Sequence, residues 1–383
     1  MTTLQSSRGS YGSASSLPLA LDNKVDKRKK KFASLGNLVG SRESVTVGQI
    51  RPRVSQKHSS EVYTVKFSLD DEYVAAGLGD ARIPIISVRT HETLHTLPAP
   101  LETSLPVTGL AFRPENAAYK NRNVLAASYA SGHVVHYHIT SGQAISTIKE
   151  ADNQTNCVSY DGYGMRFATG GSDCWVRVYD GMGMKEIVKM KAGTGGIPAE
   201  TAGHSNRIFS VKFHPTDPHC LISGGWDNTI QIWDIRVGHS VASIYGPHIC
   251  GDALDVSEDG SRILTGSWRK DDVLQIWSLK THSLVETLPW SVDPDNKHHT
   301  LLYSAQYSKH GNKYILAGGG GIHNQVKLYS TALKRPVGMV HSVPGTVYGV
   351  AMSANEKVVA FGGADKGVWL FDVDLNGLKD FVY

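Results

Sequence analysis

The chain has 383 residues, 40% hydrophobic and 19% charged, with 39 Lys/Arg against 35 Asp/Glu. This is the make-up of a soluble globular protein with room for one large domain or two ordinary ones; no apolar run approaches the ~18 residues of a membrane span, and the N-terminus lacks a signal-peptide core. Cys157, Cys174, Cys220 and Cys250 lie far apart with no C-x-x-C pair, which argues against a disulfide framework or a zinc site and for a reducing compartment, cytosol or nucleus.

Charge is unevenly placed along the chain. Residues 1–57 hold eleven Lys/Arg and three Asp/Glu, a net +8, and the rest hold 28 and 32, a net −4. The basic character therefore belongs to an N-terminal arm, 1–43, and not to a body built broadly for nucleic acid. The arm is Ser/Gly-rich and then basic, a composition expected to be disordered when free. Its block Lys27, Arg28, Lys29, Lys30, Lys31 fits a nuclear-import signal or an acidic partner: an anionic membrane, a tubulin tail or a nucleic acid. Ser34 follows this block in a setting that basophilic kinases accept, and phosphorylation there would add about −1.5 to −2 charges.

Beyond the arm, Ser44–Ile50 (SVTVGQI) has β composition and is expected to supply the outermost strand of the last structural unit, in competition with the C-terminal LKDFVY. A repeat then runs to the end. Small, Gly-rich strand ends (AAGLGD, AASYAS, ATGGSD, ISGGWD, TGSWRKD, AGGGGIH, FGGAD) each precede a tight turn and an alternating apolar strand such as WVRVY, TIQIW, VLQIW or GVWLF. A further strand and turn lie upstream of each, as in VKFSLDDE and VKFHPTDP. Anchor residues Asp80, Ser131, Asp173, Asp227, Asp271, His323 and Asp365 recur at intervals of 42 to 54 residues. Units of several short strands at this period cannot bury their faces alone; stacked radially and closed, they cover one another and remove exposed edges. The expectation is an all-β, seven-bladed β-propeller over 44–383. Its units are approximately 58–100, 103–150, 151–199, 202–247, 248–290, 295–343 and 344–383.

On these motifs the chain resembles the WD-repeat family over residues 58–383. The fourth unit fits best, with Gly203-His204, Ser223, Asp227 and Trp233-Asp234. The resemblance implies a hydrogen-bonded tetrad of His204, Ser223, Asp227 and Trp233 inside that blade. Blade five keeps Thr265, Asp271 and Trp277 without Gly-His, and blades two and six lose the Asp, so these should lean more on apolar packing.

No set of titratable groups converges as catalysis would require, and no cofactor or metal is expected. His136 and His138 share a strand face near His133, but no Cys or carboxylate completes a ligand set, so they read as surface or packing histidines. Gly318–Gly321 lacks the Lys-Ser/Thr of a phosphate loop and reads as a strand end where neighbours approach closely. His298-His299 lie in a polar loop. A propeller without chemistry is a binding platform. Trp226 and Lys270 stand just before anchor positions, in turns that the resemblance places on the recognition face, with Trp268 and Arg269 beside them. Tyr63, Phe209, Tyr303 and Tyr348 recur near the start of the first strand and are expected to ring the channel mouth or to pack between blades. Leu221–Arg236 (LISGGWDNTIQIWDIR) also resembles a box in WD-repeat substrate receptors of cullin-type ubiquitin ligases, in which Arg236 would contact the ligase adaptor. The reading is a non-enzymatic scaffold that binds other proteins. The alternatives are a ligase substrate receptor and a component of a cytoskeletal or ciliary assembly.

Overall fold

The computed structural model describes residues 45–100, 104–116, 123–191, 203–290 and 300–375. The basic block Lys27–Lys31, Ser34, the His298-His299 pair and the C-terminal LKDFVY lie outside the described residues. Among the described residues every regular element is a strand, and these strands form seven antiparallel sheets. The sheets are the blades of a seven-bladed β-propeller. Blade one is 62–97, blade two 107–149, blade three 155–190, blade four 208–245 and blade five 254–287; blades six and seven start at Thr300 and Val347.

Each blade buries its two middle strands almost continuously, and the second strand carries small residues: Ala75-Ala76-Gly77, Ala126-Ala127-Ser128, Ser223-Gly224-Gly225. The reason is blade-on-blade contact. A Cβ on Gly318 would stand 2.7 Å from Val350 Cγ1 of the next blade, so the Gly run of blade six is there to let two sheets approach. The apolar clusters accordingly join neighbouring blades; Ile222, Ile230 and Ile232 of blade four, for example, pack with Leu254, Ile263 and Trp277 of blade five.

Ring closure differs from the expectation for Ser44–Ile50. Val45–Gly48 pairs with Arg335–His341 and adds a fifth strand to the outside of blade six. The strand that closes blade seven is Ile50–Lys57, paired with Gly367–Val373. The chain changes blades at Gly48, whose φ of 82° suits glycine and whose Cβ would meet the Val337 carbonyl oxygen at 2.3 Å. Ile50 then drops its side chain onto Gly338 and is 1% exposed. The sequence RPRVSQK hides this strand, because an outer edge is polar and carries no apolar alternation. Lys57 Nζ fixes its far end on Asp365 Oδ2 at 2.8 Å.

Candidate functional site

The site begins with a backbone irregularity repeated around the channel. In six blades the first strand slips register by one residue against the second, at Tyr63, Thr108, Asn156, Phe209, Tyr303 and Tyr348. A bulged residue leaves the ladder and its side chain is re-aimed. All six therefore line one cavity of about 320 Å³ at the channel mouth, and in blade five Asp252 takes the corresponding place. The four predicted aromatics are thus bulge residues, half-buried or exposed.

They join a continuous aromatic arc. Tyr63 stacks on Tyr348 at 5.3 Å, and Tyr348 meets Tyr303 edge-on at 5.3 Å. Tyr303 meets Trp268 at 6.4 Å, Trp268 meets His248 at 6.2 Å, and His248 stacks on Trp226 at 6.5 Å. Trp226 packs on Phe209 at 5.0 Å and lies under the Arg207 guanidinium at 5.8 Å. Trp226 and Trp268 remain 40% and 39% exposed. The Trp226 indole N–H donates to Cys250 Sγ at 2.9 Å, which orients the ring, and His248 is held by Asn228 Oδ1 at 2.7 Å. Burial lowers the His248 pKa, so the ring in the arc is neutral at pH 7.

Two predicted members behave differently. Lys270 is exposed beside the arc. Arg269 turns inward: its guanidinium donates to the Gly246 carbonyl at 3.1 Å, to the Asp272 carbonyl at 2.8 Å and to Gln275 Oε1 at 2.5 Å. It pins the blade-five turn. Its neighbour Asp271, expected to anchor that turn, is exposed. Blade five lacks the Gly-His pair; His248, 23 residues before Asp271, is held by Asn228 instead, and the arginine braces the turn.

Below the mouth, Asp252 bridges two lysines from different blades. Lys66 Nζ is 2.5 Å from Oδ2 and Lys212 Nζ 2.7 Å from Oδ1, and Ser210 donates to Oδ1 at 3.2 Å. Burial opposes ionisation of Asp252, but Lys212 and Lys66 together hold it well below the usual carboxylate range. Lys66 and Asp252 line the floor of the cavity, and one carboxylate there serves two ammonium groups.

The tetrad of blade four forms as the resemblance implies. Trp233 Nε1–H donates to Ser223 Oγ at 2.7 Å, Ser223 lies 2.7 Å from His204 Nε2, and His204 Nδ1 lies 2.8 Å from Asp227 Oδ2. Burial works against the Asp227 charge, and His204 with the Ser205 amide keeps its pKa below the ordinary value. Blade three runs the same geometry with other residues. Buried Glu150 accepts from Asn153 at 2.6 Å, Thr155 at 2.9 Å, Thr169 at 2.5 Å and Tyr179 at 2.9 Å, and Arg177 bridges it to Asp173. The reading of the sequence missed Glu150. The signal was spacing: it precedes Asp173 by 23 residues, as His204 precedes Asp227. Blades two and six, which lack the Asp, are not purely apolar there. Tyr137 OH donates to the Pro98 carbonyl at 2.7 Å, and Tyr329 OH donates to that of Pro289.

Of the remaining candidates, Arg236 is 64% exposed and clamped on Asp234, with Nη2 2.6 Å from Oδ2. His136 is buried against Phe167 at 4.8 Å, and burial pushes its pKa down to about 3. Among the described residues no group of three or more His, Cys, Asp or Glu is placed to hold a metal ion.

Residues 142–180 and 197–234 match the model of the family "WD domain, G-beta repeat". The chain is 24% identical over 275 residues to nuclear distribution protein PAC1 of Komagataella phaffii, covering 61% of this chain and 52% of that protein. It is 22% identical over 348 residues to guanine nucleotide-binding protein subunit beta of Zea mays, covering 83% of each. It is 25% identical over 215 residues to cell division cycle 20.4, cofactor of APC complex, of Arabidopsis thaliana, covering 55% of this chain and 44% of that protein. The chain spans about half the length of PAC1 and somewhat less than half of the Arabidopsis protein.

Proposed function

The chain is a WD-repeat β-propeller protein, and from that premise we propose that it is a non-enzymatic interaction scaffold whose partners dock on the aromatic mouth of the channel. One observation carries this reading: six aromatic rings and one imidazole, from blades one, four, five, six and seven and their connections, form an unbroken and partly exposed arc. Rigid Tyr and Trp side chains offer large contact area at low entropic cost and are enriched among binding hot spots. Beneath the rings the cavity is lined by Lys66 and Asp252, so the arc is the apolar part of the docking surface and the floor its charged part. A reducing compartment, cytosol or nucleus, fits four cysteines that are all free thiols.

The test is affinity purification with mass spectrometry on the full chain, with Trp226→Ala and Trp268→Ala beside the wild type. Both variants should lose a shared set of interactors while keeping the wild-type melting temperature. Retention of every interactor by both variants would refute the docking surface.

A second reading rests on Arg236. Its guanidinium is exposed and held rigidly by Asp234, which supports a role as a contact for a ubiquitin-ligase adaptor. Arg236→Ala should then abolish co-purification of that adaptor and leave the arc-dependent partners in place.

A further inference from the structure

Beside the arc, blade three presents a second surface that the docking reading does not use. Trp175 lies in the turn after Asp173, with the Lys189 ammonium 4.5 Å and the Lys191 ammonium 5.2 Å from its ring centre. Both lysines are exposed. The two carboxylates nearest them in the blade are already engaged, because Arg177 pairs with Asp173 and reaches Glu186 Oε2 at 3.8 Å. Among the described residues neither lysine has an ion-pair partner. Two like charges are therefore gathered around one indole with no neutralising partner among the described residues, although cation–π attraction alone is worth only about 0.5–1 kcal/mol at an exposed site.

This patch is continuous with the arc. Arg207, which covers Trp226, donates to Gln154 Oε1 at 2.7 Å, and the Gln154 amide donates to Ser172 Oγ at 2.9 Å, at the base of the Trp175 turn. Arg207 has no carboxylate partner among the described residues either. Among the described residues, three cations without a carboxylate partner and two indoles thus form an edge that runs from the Trp226 end of the arc to the outer strand of blade three.

We propose that this edge receives an acidic segment of a protein partner, whose carboxylates settle between Lys189, Lys191 and Arg207 while its apolar anchor occupies the arc at Trp226. The inference rests on the docking reading for its anchor, and charge complementarity selects the occupant. Nucleic acid is the competing polyanion, and the test separates the two.

The experiment uses the full chain carrying Lys29→Ala, Lys30→Ala and Lys31→Ala, so that the basic arm does not bind the probe. A fluorescein-labelled oligoglutamate peptide is titrated by anisotropy, with an oligoserine peptide and a single-stranded oligothymidylate as comparison probes. Oligoglutamate should bind, more weakly as salt rises, and oligoserine should not. Adding Lys189→Glu with Lys191→Glu should weaken oligoglutamate binding at least tenfold at an unchanged melting temperature, and Trp175→Ala should weaken it severalfold. Equal affinity with and without the charge reversal, or tighter binding of oligothymidylate than of oligoglutamate at the same salt, would overturn the proposal. Trp226→Ala distinguishes its failure from that of the docking reading: loss of interactors with Trp226→Ala but not with the charge reversal leaves the arc standing and removes the acidic segment.

Discussion

Glu150 gives the sharpest test of how blade three is held together. Its side chain is 2% exposed and accepts four hydrogen bonds, from Asn153, Thr155, Thr169 and Tyr179, with Arg177 3.6 Å away. Glu150→Ala removes both acceptor oxygens, and with them all four hydrogen bonds, and leaves the Arg177 charge with Asp173 and the more distant, exposed Glu186. Removing one partner of a buried ion pair costs about 3–5 kcal/mol. Each buried donor left without an acceptor costs about 1–3 kcal/mol, though not additively, since the three hydroxyls can rotate toward one another. The expected loss is about 3–5 kcal/mol. Glu150→Gln keeps the shape. One carboxamide oxygen still accepts, and Thr169 and Tyr179 can reverse to accept from the new N–H₂, so the cost should fall to about 1–2 kcal/mol.

The assay is urea unfolding followed by tryptophan fluorescence, with hydrogen exchange to locate the effect. A ring of seven repeats need not unfold in one step, so localisation matters as much as the midpoint. Exchange should accelerate first in 155–190. A Glu150→Ala protein with wild-type midpoint and protection would show that the network adds nothing. Equal effects of Ala and Gln would show that charge, and not hydrogen bonding, is what the blade uses.

The anchor aspartates should separate by burial: Asp227→Ala loses about 1–3 kcal/mol, whereas exposed Asp271→Ala stays within about 0.5 kcal/mol in the same urea titration. Arg269→Ala should lower the unfolding midpoint by about 1–3 kcal/mol through its lost turn contacts, and a variant of full stability that loses partners would return Arg269 to the docking surface. Lys57→Ala should loosen ring closure, seen as faster hydrogen exchange in 50–57 and 367–373 with the other blades unchanged.

The propeller was legible because its signals are local and repeated: a small second strand, a turn, an alternating third strand, seven times over. The mouth aromatics were legible for the same reason, recurring at one place in the repeat. What escaped detection depends on substitution within a conserved geometry or on contacts between distant segments. Glu150 does the work of a histidine, and a motif search for Gly-His passes over it. Arg269 looked like a free cation because its acceptors include the Gly246 carbonyl, 23 residues upstream. Asp252 was invisible as a mouth residue because blade five carries a carboxylate where four others carry an aromatic, and its partners Lys66 and Lys212 lie in blades one and four. The closing strand was misplaced because burial of one residue, Ile50, and a glycine turn decide it, and neither makes a periodic pattern.

Asp252 also accounts for the shape of the arc. The aromatic bulge residues Phe209 and Tyr303 flank blade five, and between them the mouth is charged; the rings that bridge the gap, Trp226, His248 and Trp268, come from turns and connections farther out. The floor and the arc are therefore two answers to one substitution, and they can be perturbed separately. Asp252→Asn keeps the shape and leaves two ammonium groups without their shared anion. With side chains 21–30% exposed, the cost should be about 2–4 kcal/mol at neutral pH, somewhat below that of a fully buried pair. Because the folded pKa of Asp252 lies far below its unfolded value near 3.9, its contribution is complete above that value and is lost as pH falls below it. Urea midpoints measured from pH 7 to pH 2 should thus fall more steeply for the wild type than for Asp252→Asn below about pH 4, and the two curves should converge. Parallel curves over the whole range would mean that the lysines do not depend on this carboxylate. Trp226→Ala, in contrast, should leave both curves where they are, since its ring belongs to the surface and not to the floor.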